Sequence, residues 1–106
     1  MTEPLATILR ELRSRLDALY GERLVRLVLF GSQARGDPEP GSDIDVLVVL
    51  KGPVEPCTEI GRTIHDVAAI SLDHDVVVAC VFVSEAEFAQ EQSPLLLNVR
   101  REGVPV

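Results

Sequence analysis

Two aspartates separated by one apolar residue, Asp43-Ile44-Asp45, stand at the head of the apolar run Val46-Leu47-Val48-Val49-Leu50. Side chains alternate along a strand, so both carboxylates take one face while Ile44 enters the core on the other. Their α-carbons lie about 6.6 Å apart at ordinary strand rise, so both carboxylates can converge on one or two hard cations. Magnesium prefers such oxygen ligands and keeps positions open for substrate phosphates. Upstream, the Gly31-Ser32 corner offers backbone N–H groups and a hydroxyl suited to phosphate, and Arg35 follows within a turn. Downstream, Asp73-His74-Asp75 precedes an apolar run at 76–83. A third carboxylate there would complete a metal site or take the proton of an attacking hydroxyl. Asp75 adjoins the run and is better placed than Asp73, although both would face the same side. Each feature has an ordinary reading too: a solvated strand start, a common turn, an acid closing a loop. What raises them above that is a shared location, which depends on the elements that carry them.

Leu5, Ile8, Leu9, Leu12, Leu16 and Leu19 recur at helical spacing, with Arg10, Glu11, Arg13 and Asp17 between them. Thr2 suits the N-cap, Pro4 the first turn and Gly21 the stop. Leu24–Phe30 reads as a mostly buried strand, broken by Gly31-Ser32. Residues 36–42 form a turn-rich loop, and a second strand is expected over 43–50, ended by Gly52, Pro53 and Pro56. Ile60, Ile64, Val67, Ala68 and Leu72 mark an amphipathic helix, and a third strand is expected over 75–83. Ser84-Glu85-Ala86-Glu87 is a capping box that opens another helix, and Ser93-Pro94 starts a further helical turn that Gly103 stops. Roughly 20 residues, largely helix, join the second and third strands, which favours a right-handed parallel crossover. The shorter link between the first and second permits an antiparallel pair. The expectation is one domain over residues 1–106, of α/β or α+β class, with a three-stranded mixed sheet covered by helices. It brings Gly31-Ser32, Asp43 and Asp75 to one end of the sheet.

Composition sets the bounds. Hydrophobic residues make up 46% of the 106 and aromatics only 4%, so Leu, Val, Ile and Ala must build the core. Such a core is modest, and self-pairing or a partner chain would add to it. The formal charge of −7 argues against general nucleic-acid binding, which needs a basic surface. A single nucleotide held through a metal ion is compatible with it. Cys57 and Cys80 form no CxxC pair, no leader signature follows Met1, and the apolar run at 76–83 is too short to span a bilayer. The expectation is a cytoplasmic protein with two free, buried thiols and no membrane contact. His65 and His74 have no Cys or His at ligand spacing, which argues against zinc. Glu85, Glu87 and Glu91 read as a solvated helix face.

The segment Gly31-Ser32-Gln33-Ala34-Arg35-Gly36, followed by Ser42-Asp43-Ile44-Asp45, resembles the signature of the DNA polymerase beta-like nucleotidyltransferase superfamily. Its small members, the minimal nucleotidyltransferases, share a GSxARG motif, a short loop and SDxD. The likeness extends to an acid entering a later strand, here Asp75, and to the stretch from Asn98 to Gly103, so that it spans nearly the whole chain. The resemblance implies a two-metal transfer of a nucleoside monophosphate from a triphosphate, with release of pyrophosphate. On that pattern Asp43 and Asp45 hold both magnesium (or manganese) ions, and Asp75 binds the catalytic ion and helps activate the acceptor. Gly31 and Ser32 contact the β- and γ-phosphates, and Arg35 adds positive charge nearby.

Minimal nucleotidyltransferases often resemble the antitoxin halves of toxin–antitoxin pairs, whose partner is a small helical HEPN-type ribonuclease. The implied function is AMP transfer from ATP to a tyrosine of such a partner. Two other readings stand beside it. One is a small-molecule nucleotidyltransferase, similar to aminoglycoside-modifying enzymes and completed by homo-oligomerisation; the other is a non-catalytic module that masks its partner.

Overall fold

The computed structural model describes residues 2–36 and 43–106. Most of the turn-rich loop, with Ser42 of the SDxD motif, lies outside the described residues. Helix α1 (Glu3–Tyr20) starts where Thr2 accepts a hydrogen bond from the Leu5 N–H at 3.3 Å, has Pro4 in its first turn and ends at Gly21. Its buried side chains are Leu5, Ile8, Leu9, Leu12, Leu16 and Tyr20. Leu19, counted above in the apolar stripe, is instead 42% exposed, because Tyr20 continues the i, i+4 series from Leu16.

Strands β1 (Leu24–Phe30) and β2 (Ile44–Leu50) pair antiparallel, with Leu27 opposite Val48 and Phe30 opposite Asp45. Helix α3 (Pro56–His74) makes the crossover to β3 (Val78–Ser84), which runs parallel to β2 with Ile44 opposite Val78. Between β1 and β2 lies the single turn α2 (Ser32–Arg35). After β3 come α4 (Glu85–Gln90), opened by the expected Ser84/Glu87 capping box, and α5 (Pro94–Glu102). The fold is the expected α+β arrangement with helices over a mixed sheet, with one correction. Among the described residues the sheet has four strands, ordered β3-β2-β1-β4. The added strand β4 (Val104–Pro105) pairs antiparallel with β1, two residues long and carrying a proline, so no periodicity announces it.

A second correction concerns the start of β3. Residues 75–77 were expected to begin the strand, but α3 runs on to His74 and Asp75 is its C-cap, in the left-handed conformation at φ 53°. The Asp75 and Val76 N–H groups both return to the Ser71 carbonyl, closing the helix end. The chain then reaches the sheet at Val77, whose carbonyl accepts from the Ile44 N–H at 2.8 Å.

The sheet separates two apolar clusters. Leu27, Leu29, Ile44, Val46, Val48, Leu50, Val78 and Phe82 pack under α1 and α3. Val28, Leu47, Val49 and Val83 pack against Leu96 and Val99 of α5. Of the thiols expected to be buried, Cys57 is exposed in the first turn of α3; Cys80 is half-buried, and its surroundings push the thiol up to about 12. Among the described residues no helix is long and apolar enough to cross a membrane.

Candidate active site

At the end of β1 the chain turns at Gly31, which has φ 77° and caps α2. A Cβ built on Gly31 would lie 2.5 Å from Oδ2 of Asp45, so any side chain there would have to displace the carboxylate, against which the backbone now comes directly. The Ala34 and Arg35 N–H groups return to the Gly31 carbonyl at 3.1 and 3.2 Å, which fixes Ser32 at the head of the turn. Backbone amides at the start of a helical turn lack partners within it and point outward, a geometry suited to phosphate oxygens.

The alternation at the head of β2 is as read from the sequence. Ile44 is 3% exposed in the core beneath α1 and α3, whereas Asp43 is exposed and Asp45 half-buried on the opposite face. Burial raises the carboxyl of Asp45 above its ordinary value, and the neighbouring Asp43 charge raises it further. Two like charges held this close and partly dehydrated are what a divalent cation would relieve, and both are hard oxygen donors. The pair therefore fits a magnesium or manganese ion, which would supply positive charge against a triphosphate.

The third acid is not where it was expected. Asp75 caps α3 instead of standing on β3, and among the described residues no group of three His, Cys, Asp or Glu side chains is placed to hold a metal. The physical reason is the helix end: the left-handed turn at Asp75 consumes the residues that would have extended the strand. Register pairs Asp45 with Ala79, so the β3 side chain that adjoins Asp45 on its own face is a methyl group.

Arg35, in the last turn of α2, pairs with Glu102 of α5 at 3.7 Å. Between them is a small pocket lined by Phe30, Gly31, Arg35, Leu95, Asn98 and Glu102. Sequence reading identified the start of α5 at Ser93-Pro94 but had no signal that Leu95 and Asn98 would come beside Gly31. A wider pocket on the α1 side of α2, lined by Thr2, Leu5, Gln33 and Gly36 among others, has no carboxylate among the described residues that line it and lies away from the Asp45 face.

Comparison with known proteins gives the family and the fold. The family model for the nucleotidyltransferase domain matches residues 9–99. A Methanocaldococcus jannaschii protein named a putative protein adenylyltransferase is 34% identical over 96 residues, which is 90% of this chain and 90% of its own. A solved minimal nucleotidyltransferase superposes with a TM-score of 0.59 at 27% identity, covering 99% of this chain and 97% of that one. A chain from a toxin–antitoxin crystal structure with AMP-PNP gives a TM-score of 0.60 at 19% identity, covering 96% of this chain and 68% of that one, a likeness of fold. With a matched span that takes in the glycine corner, Asp43 and Asp45, this chain belongs to the nucleotidyltransferase domain family, as a nucleotidyltransferase.

Proposed function

We propose that the chain transfers AMP from ATP to a hydroxyl of a partner protein, with Asp43 and Asp45 holding a divalent cation at the triphosphate. The observation that carries this reading is the contact between Gly31 and Asp45: a side-chain-free backbone corner and a carboxylate meet at one point. Phosphates and their counter-ion need those two groups together. Gly31 and Ser32 lie against the β- and γ-phosphates, and Arg35 contributes charge from the end of α2. A cation held by Asp43 and Asp45 would supply positive charge against the negative charge that gathers on the leaving pyrophosphate. In the transfer the acceptor oxygen bonds to the α-phosphorus and the α–β bridging P–O bond breaks. Pyrophosphate leaves, and the hydroxyl proton passes to water.

The surface supports a protein acceptor. Along one flank of α3, Ile60, Ile64 and Leu72 are 48%, 53% and 83% exposed, with exposed Ala68 completing the i, i+4 row. An unpartnered apolar row of this kind marks a protein contact. The relative named as a protein adenylyltransferase and the fold shared with a toxin–antitoxin chain support a protein partner; following the motif resemblance, that partner is a helical toxin of HEPN type with a tyrosine target. The test is incubation with α-labelled ATP, magnesium and the purified toxin. Label on the toxin, lost with Asp45→Asn, is expected. A stable complex without label would mean that the chain acts by masking.

A further inference from the structure

The β3 strand presents the site with no ionisable group. Asp45 is the register partner of Ala79, and side-by-side residues of a parallel pair face the same way about 4.8 Å apart. Val77, just before β3, is 57% exposed. A cation held by Asp45 and the preceding Asp43 would adjoin, on β3, the methyl group of Ala79. Asp75 stands at the α3 C-cap, off the strand, and among the described residues it does not join Asp43 and Asp45 in a group placed to hold a metal.

Two divalent ions held a few ångströms apart each require ligands of their own as well as shared ones. Among the described residues the protein contributes two carboxylates to share between two such ions, with no third to bind either one alone. Magnesium is comfortable with one or two carboxylates completed by phosphates and water. The donor set fits one ion and falls short for two.

Resting on the functional reading above, we propose that this site holds a single divalent cation, brought in with the nucleotide, and that Ala79 is the residue that keeps a second cation out. The acceptor side of the site is then apolar on β3, and among the described residues no further carboxylate is placed to draw the proton of the attacking hydroxyl. Transfer is correspondingly slow, and Ala79→Asp should restore both the second ion and the rate.

The experiment is titration of the protein with Mn2+ in the presence of AMP-PNP, read by electron paramagnetic resonance, for the wild-type chain, Ala79→Asp and Ala79→Asn. One bound ion per wild-type chain is expected, two for Ala79→Asp and one for Ala79→Asn, which adds bulk without charge. Ala79→Asp should also accelerate label transfer at least tenfold and increase the shift in melting temperature that Mn2+ produces. Two ions on the wild-type chain would overturn the inference while leaving the nucleotide reading intact. A folded Ala79→Asp that still holds one ion would overturn the role of Ala79. Absence of any AMP-PNP binding with Mn2+ would overturn both.

Discussion

Single residues decide the chemistry at the end of β1 and the head of β2. Gly31 combines φ 77° with the close approach of Asp45, so Gly31→Ala meets backbone strain and a clash together. With ψ at −159° this backbone is one that essentially only glycine adopts, so the strain alone costs about 1–3 kcal/mol, and displacement of the carboxylate should weaken Mg-ATP binding at least tenfold by calorimetry. A variant binding as the wild type does would separate Gly31 from the site. Asp45 is a different case, because its burial and the adjacent Asp43 charge make the ionised form unfavourable in the metal-free fold. Asp45→Asn should therefore melt higher than the wild type in chelator at neutral pH and gain nothing from added magnesium. A lower melting temperature in chelator would show that the carboxylate is structural. Asp75→Asn, by contrast, should keep transfer within about twofold, since asparagine is at ease in the left-handed cap position. A loss of tenfold or more would bring Asp75 back into the site.

Among the elements, the two long helices are joined near the site end by a polar contact: Nε2 of His74, the last residue of α3, lies 2.8 Å from Oε2 of Glu11 in α1. That hydrogen bond, with the charges of His74 and Arg15 behind it, holds the Glu11 carboxyl below its ordinary 4.5. A depressed carboxyl stabilises the fold above its unfolded value, and the gain is lost as pH falls through the folded one. Glu11→Gln should accordingly lower the melting temperature at pH 6, with the difference closing as pH falls below 4.5. A difference constant across that range would rule out the carboxylate as its source. The same helix end shows where the sequence was legible. The row on α1 and the alternation through Ile44 were readable because each repeats over several turns or residues of one element. The junction at Asp75 was not, because Val76-Val77-Val78 looks like a strand in any register and no glycine flags the left-handed turn. Nor was the partnering of Asp45 with Ala79, since register belongs to two strands and is written in neither.

For the whole molecule, the least legible feature is the way its two ends meet on the outer side of β1. Val104 and Pro105 of β4 pair with Leu29 and Val28, and the Val106 N–H donates to the Leu27 carbonyl at 3.0 Å. Arg13 of α1 donates in turn to the Val106 carbonyl at 2.5 Å, tying the first helix to the last residues. Val104 and Val106 also pack onto the cluster beneath α1 and α3. This closes the outer edge of the strand that ends at Gly31, and a proline is tolerated there because an edge strand needs no donor on its outer side. Ending the chain at Gly103 should remove two partly buried valines and a short ladder, about 2–3 kcal/mol together. Thermal unfolding should then fall by roughly 10–20 °C, given some 4–8 °C per kcal/mol for a domain of this size. The bare edge of β1 should also promote association at high concentration, visible by sedimentation. Mg-ATP binding measured well below the midpoint should survive, because Gly31, Asp43 and Asp45 keep their places at the β1–β2 junction. An unchanged midpoint would mean that β4 adds nothing to the sheet. Loss of binding in a folded truncation would mean that the chain end helps to shape the nucleotide corner itself.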